Sequence, residues 1–187
     1  MEGVGNFYNA TGTTGGKGGE FVTPTNFEEL KFYVENEQSP YIILITKEFT
    51  SEQPCWVISS TGELKKEGDA GATLSTYGEI LKIGSNKSLI GVGDNAFFNR
   101  IGIVAQCRSN IIIRNIRFTF NGVPTSRDGE MKVIALRNGV ETLIGDPDCI
   151  GIQADKNSAK TDSGHHYWID HCEFFNGDAA KKDRYDG

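Results

Sequence analysis

Apolar positions change their spacing once along this chain. Between Thr25 and Ser39, Phe27, Leu30 and Val34 recur at helical intervals. Thr25 and Glu28 have capping-box spacing, so a helix is predicted that breaks near Ser39-Pro40. From Tyr41 onward the pattern becomes short runs rich in Ile and Val: Tyr41 to Ile45, Cys55 to Ile58, Leu89 to Val92, Ile101 to Ala105, Ile111 to Phe120, Val133 to Leu136 and Tyr167 to Phe174. Gly, Asn, Asp and Ser separate them, which predicts strands joined by turns. The pattern is all-β after one N-terminal helix. Ahead of the helix, seven glycines fall within the first nineteen residues. Gly16-Lys17 is not followed by Ser or Thr, and the spacing fits neither nucleotide-binding fingerprint, so this segment reads as a loop packed on something else.

The strands also repeat. Arg100-Ile-Gly-Ile-Val-Ala-Gln106 recurs as Cys149-Ile-Gly-Ile-Gln-Ala-Asp155, 49 positions on. Ile112-Ile-Arg-Asn-Ile-Arg-Phe118 recurs as Trp168-Ile-Asp-His-Cys-Glu-Phe174, 56 positions on, the longer spacing reflecting an insertion around Lys160 to His166. Leu89-Ile-Gly-Val-Gly93 aligns with Ile112 to Ile116 at an offset of 23. One strand-bearing turn per twenty-odd residues, with Asn or Gly at the corners, predicts a stack of parallel-strand coils, a right-handed parallel β-helix. The Asn-Gly pairs at 121–122, 138–139 and 176–177 keep a β-sandwich as the competing fold. In the solenoid reading Asn110 and Asn115 are corner residues satisfying backbone groups. Phe97, Phe98, Phe118 and Phe120 form core or a stack between coils, a sugar platform being the lesser alternative.

Composition narrows the class. With 187 residues, 37% hydrophobic and 10% aromatic, the chain supports one cored domain and is too apolar for a disordered one. The longest apolar run, Tyr41 to Ile45, is too short to cross a bilayer. A formal charge of -6, with no local basic patch, argues against nucleic acid and against a membrane surface. Acidic carbohydrate stays open, because a bound cation can reverse the local sign. Cys55, Cys107, Cys149 and Cys172 form no Cys-x-x-Cys pair, so both two disulfides and four thiols are compatible with the spacing. The first twenty residues carry no basic and apolar signal segment, which fits a cytosolic chain or a mature secreted one.

Taken together, Lys87-Ser-Leu-Ile-Gly-Val-Gly93, Asn110-Ile-Ile-Ile-Arg-Asn-Ile116, Asp146-Pro-Asp-Cys-Ile150 and Trp168-Ile-Asp-His171 resemble the ordered landmarks of pectate lyases of polysaccharide lyase family 1. The glycine-rich start and the Phe27 to Val34 helix are similar to the family's N-terminal loop and capping helix. The resemblance implies one domain over 1–187, with loop and cap at 1–39 and coils at 40–187, corresponding to the first part of the family's domain and truncated at its C-terminal end. It implies a secreted, calcium-dependent lyase of polygalacturonate or pectin acting by β-elimination. Calcium prefers hard oxygen ligands, and the resemblance carries that role to Asp146, Asp148 and Asp186. The family's catalytic arginines and substrate-binding lysine are expected beyond Gly187. None of Arg100, Arg108, Arg114, Arg117, Arg127, Arg137 or Arg184 is assigned as base, and the chain alone is expected to be inactive. A second chain or self-association through an open last coil is the partner this implies.

Each candidate has a plainer reading. Asp146-Pro147-Asp148 is also an ordinary turn sequence, and Asp186 sits in a charged tail. His171 is expected to be structural, bonding backbone groups between coils. His165, His166, His171 and Cys172 match no standard zinc spacing. The alternatives in function are a non-catalytic β-helix that binds acidic glycan and a calcium-independent lyase of esterified pectin. The carboxylates of Asp146 and Asp148 argue against the latter.

Overall fold

Branched residues at alternate positions give each short strand one apolar face, and left-handed residues at the corners turn the chain between strands. The computed structural model describes residues 12–51, 54–57, 76–77, 79–120, 133–137, 140–143, 148–154 and 164–175. The chain enters through β1 (Glu20–Val22) and α1 (Phe27–Glu35), then runs along β2 (Tyr41–Ile45) and β3 (Glu48–Thr50). Strands β4 (Pro54–Val57) and β5 (Thr76–Tyr77) form an excursion before β6 (Glu79–Lys82) completes that coil. The next coil is β7 (Lys87–Gly91), β8 (Phe97–Asn99) and β9 (Ile101–Gln106). After it come β10 (Ile111–Arg114) and β11 (Arg117–Thr119), a second excursion with β12 (Val133–Arg137) and β13 (Val140–Leu143), and β14 (Ile150–Gln153). Strands β15 (Tyr167–Asp170) and β16 (Glu173–Phe174) follow.

Successive coils feed three parallel sheets, ordered β1-β2-β7-β10-β15, β3-β8-β11-β16 and β6-β9-β14, and these define a parallel β-helix. The sandwich reading fails for this body because every coil returns its strands in the same direction. Among the described residues, antiparallel pairing is confined to a fourth sheet, β13-β12-β4-β5, contributed by the two excursions. Arg137 pairs with Val140 there, the two-residue spacing that Asn-Gly signals. No described helix is long and apolar enough to cross a membrane.

Two of the three repeat offsets are corrected by the strand register. The 56-residue offset holds, with Ile112 against Trp168 and Phe118 against Phe174. Leu89, however, pairs with Ile113 and not Ile112, an offset of 24. Both side chains point inward and are buried, whereas an offset of 23 would have turned one face outward. Ile150 pairs with Ile103 and not Ile101, an offset of 47. That slip of two preserves the faces, which is why the sequence similarity survived it. The runs Ile111 to Phe120 and Tyr167 to Phe174 each divide into two strands, because Asn115 (φ 56°) and His171 (φ 51°) bend the chain between sheets.

Like residues stack on like inside the coils. Ile43, Leu89, Ile113 and Ile169 form one row in the first sheet. Phe49, Phe98, Phe118 and Phe174 form another in the second, with ring centroids 6.3, 5.3 and 5.4 Å apart. On the last strand of each sheet the inward residues Ile152, Ile169 and Phe174 are exposed. Phe120 is buried, and Phe97 lies outside the row, stacked on Phe175.

The helix lies along β6, burying Leu30 and Val34, and Lys31 Nζ reaches Glu79 Oε1 at 2.6 Å. Its cap differs from the expected box. Asn26 is the N-cap and accepts from the Glu29 N–H at 2.9 Å, while Glu29 Oε2 accepts from both the Thr25 N–H and its hydroxyl. The closing acid is therefore Glu29, one residue beyond Glu28, and these bonds hold its carboxyl below the usual range. The glycine-rich segment packs across the outside of the first sheet. The Gly16 N–H donates to the Ser88 hydroxyl, and a Cβ on Gly16 would stand 1.9 Å from the Tyr41 carbonyl oxygen, so only glycine fits.

Candidate functional site

The outer face of the sheet formed by β6, β9 and β14 is the surface on which one of the expected ligands sits. Alternation turns Leu81, Ile103 and Ala105 inward and leaves Lys82, Gly102, Val104, Gln106, Gly151 and Gln153 outward. Two of these outward positions are glycines, which makes the face locally flat. The chain at Asp148 lies directly on it: a Cβ on Gly102 would meet the Asp148 carbonyl oxygen at 2.3 Å. A Cβ on Gly151 would find Asp148 Oδ2 and Gln153 Nε2 each 3.8 Å away. The exposed Asp148 carboxylate and the Gln153 amide therefore flank Gly151, while Gly102 lies beneath the Asp148 backbone with the Ile80 and Phe120 side chains beside it.

Asp146 and Asp186, the other two expected ligands, lie outside the described residues. Among the described residues no three His, Cys, Asp or Glu side chains gather into a metal-holding group. The Asp148 carboxylate is a hard-oxygen group on this face, whereas the Gln153 atom nearest Gly151 is its amide nitrogen, so calcium here would need its remaining oxygens from other groups. Asp148 also acts electrostatically on its neighbour. Burial first, and then the Asp148 charge, push the Cys149 thiol up to about 12.

Farther along the same face, where β6 and β9 end, a groove of about 250 Å³ is lined by Glu37, Lys82, Ile83, Val104, Gln106, Cys107 and Arg108. Cys107 (φ 52°) turns the chain left-handed out of β9. Tyr167 Oη donates to the Arg108 carbonyl, and the Ser109 N–H donates to the Ser85 hydroxyl at 3.0 Å, so the backbone that presents Arg108 is held on both sides. Arg108 Nη2 is ion-paired with the Glu37 carboxylate. Lys82 shares a register row with Val104 and Gly151, two strand spacings, or ~10 Å, from the point beneath Asp148.

Sequence reasoning missed Lys82, Gln106 and Gln153. The true 47-residue register would have found the last two, because it sets Gln106 beside Gln153, whereas an offset of 49 sets Gln106 beside Asp155. Of the histidines, His171 differs from the expectation: its side chain is exposed and bonds the Asp170 carboxylate at 2.5 Å, and among the described residues it has no backbone partner between coils. Its left-handed backbone (φ 51°) marks the corner at which the chain turns. His165 and His166 bond each other. Cys107, Cys149 and Cys172 are thiols, and Cys55 has no described side chain.

A parallel β-helix bearing a carboxylate on an outer glycine shelf is the class of protein that these features define. Comparison with known proteins points the same way. The chain is 27% identical over 172 residues to the pectate trisaccharide-lyase of Thermotoga maritima, covering 92% of this chain and 34% of that protein. It is 28% identical over 178 residues to the pectate trisaccharide-lyase of Bacillus licheniformis, covering 94% and 38%, and 33% identical over 115 residues to pectate lyase A of Aspergillus niger, covering 62% and 26%. Among solved structures, a thermostable pectate lyase superposes with a TM-score of 0.53 at 20% identity over 89% of this chain and 46% of its own. A mutant of the Bacillus subtilis pectate lyase gives 0.52 at 19% identity over 90% and 47%. No family model matches the sequence. The chain thus resembles pectate lyases over most of its own length, and spans about a third of the length of the curated relatives it matches.

Proposed function

We propose that this chain carries the N-terminal coils of a secreted pectate lyase-type enzyme that cleaves polygalacturonate or pectin by calcium-assisted β-elimination. Its coils are right-handed, as nearly all parallel crossovers are, and α1 closes the first of them. The observation that carries the reading is Asp148 above the Gly102 and Gly151 shelf, in a chain that aligns with pectate trisaccharide-lyases over 92% of its length.

On this reading Asp148, with Asp146 and Asp186, supplies oxygens to calcium. When bound, calcium supplies neutralisation of the uronate carboxylate and of the enolate-like charge formed as C5 loses its proton. The protein's own part at this shelf is to hold the sugar carboxylate against the sheet at Gly151, which carries no side chain of its own. The proton-abstracting arginine is assigned to coils outside this chain, which aligns with only 34% of the pectate trisaccharide-lyase of Thermotoga maritima. Such coils, from the same polypeptide or a second chain, would also cover Ile152, Ile169 and Phe174.

The test is retention of the chain in polygalacturonate gels. Calcium-dependent retention that both chelator and Asp148→Asn abolish is expected. Equal retention in chelator would overturn the calcium assignment, and none in calcium would overturn the reading. Ultraviolet absorbance of unsaturated uronides separates elimination from binding: none is expected from this chain, and a chelator-sensitive rise would place a base within it.

A further inference from the structure

We propose that the groove between Glu37 and the ends of β6 and β9 is a second anion subsite, in which Lys82 and Arg108 take a carboxylate of the same uronate polymer that reaches Asp148. The inference rests on the functional reading above and adds to it residues and a direction along the sheet.

Three observations carry it. The groove and the Asp148 shelf share one continuous outer face, on adjoining rows of the register, so an extended chain laid across the strands meets both. The two are ~10 Å apart, which lets different sugar units occupy them. Next, the groove already holds a carboxylate: Glu37 engages the Arg108 guanidinium as a uronate would. Its side chain is 58% exposed, and an exposed pair of this kind is worth little, so an incoming carboxylate displaces it at small cost. Finally, Lys82 is exposed and its ammonium has no ion-pair partner among the described residues, while its backbone is fixed by the N–H bond to Glu35 Oε1 at 3.0 Å. One cation is therefore occupied by a replaceable acid, and the other has no acid on it among the described residues. Gln106 and Gln153, stacked beside them, offer amides to sugar hydroxyls.

The experiment is calorimetric titration of the full 187-residue chain with hexagalacturonate in calcium, alongside calcium titration without sugar. Lys82→Gln is expected to weaken hexagalacturonate about tenfold, the loss of one charge-assisted contact. Glu37→Gln is expected to tighten it by releasing Arg108. Both should leave calcium affinity unchanged, and Lys82→Gln should not affect a fully methyl-esterified hexamer. If Lys82→Gln and Glu37→Gln both bind hexagalacturonate as the parent does, while Asp148→Asn has lost it, the groove assignment is overturned and the calcium reading stands. If the parent chain binds no hexagalacturonate in calcium, the functional reading fails and the subsite with it.

Discussion

Asn110 lies one coil beyond Asn86 at the corner leading into the first sheet, and its Nδ2 donates to the Asn86 Oδ1 at 2.8 Å. Both backbones are left-handed, with φ of 62° and 58°. The same Asn110 side chain accepts from the N–H groups of Thr14 and Gly15 and donates to the Gly15 carbonyl. One amide thus joins two coils to the glycine-rich segment laid over them. Asn tolerates this conformation better than most residues, so both properties of the residue are used.

Asn110→Ala is expected to destabilise the fold by about 2–3 kcal/mol, from several lost bonds and a left-handed alanine. Asn110→Gly should recover part of this by relieving the backbone. Urea denaturation of the three proteins checks the order. Equal stability of the alanine and glycine variants would mean that strain contributes nothing at this corner.

How much of this could be read beforehand follows the same physics. Offsets of 56 were legible because Ile112 and Trp168, or Phe118 and Phe174, sit in runs of matching apolar character. Strands such as Glu48–Thr50 and Phe97–Asn99 were not, since three residues with a single inward side chain give no period to detect. Of the excursion strands, Pro54–Val57 and Val133–Arg137 were legible as apolar runs, whereas Val140–Leu143 escaped because it pairs only locally and carries no stacking repeat. At the candidate site, Asp148 was singled out through the family resemblance that its Asp-Pro-Asp setting carries. Lys82 was invisible, because what places it beside the shelf is its pairing with Val104, 22 residues on, in a strand that the sequence did not mark as its partner.

Lys87 should make stability depend on pH. Its side chain is fully buried, with Nζ donating to the carbonyls of Ser39 and Ser85 at 2.7 and 2.9 Å. Burial pulls its pKa down from 10.5 to about 8, against an opposing pull from the Glu37 charge. Between about pH 8 and 10.5 the unfolded chain keeps a proton that the folded chain has released, so this group's contribution to stability rises with pH, by at most about 3 kcal/mol. Cys149 works in the opposite sense from pH 9 upward, because its folded pKa is raised to about 12. The difference between parent and Lys87→Met isolates the lysine: its slope should be positive across that window and flat below pH 7. A flat difference throughout would mean that Lys87 stays charged in the folded protein.

The phenylalanine row predicts a large core effect. Phe118 is fully buried between Phe98 and Phe174, with centroids 5.3 and 5.4 Å away. Phe118→Ala would open a cavity between two rings and is expected to cost about 3–5 kcal/mol. Phe118→Leu should cost less by filling part of that space. Phe97→Ala, outside the row, should cost clearly less than Phe118→Ala, and equal costs for the two would show that the row is not the packing unit it looks like.

Gly102 and Gly151 offer a paired test of the shelf, because they differ in what a methyl group would meet. At Gly102 it would strike the Asp148 carbonyl at 2.3 Å and the Ile80 side chain at 2.7 Å, and backbone oxygen cannot swing away. At Gly151 its nearest neighbour is Val104 at 3.5 Å, an ordinary contact, with the Asp148 carboxylate just beyond. Gly102→Ala should therefore lift the chain at Asp148 off the sheet, costing about 1–3 kcal/mol and weakening calcium binding. Gly151→Ala should fold with nearly parental stability, so any loss of calcium or polygalacturonate binding there reports the surface alone. Thermal denaturation and calcium titration of both variants separate the two effects. If Gly102→Ala retained parental calcium affinity, the position of Asp148 on its shelf would not be what prepares it for a cation.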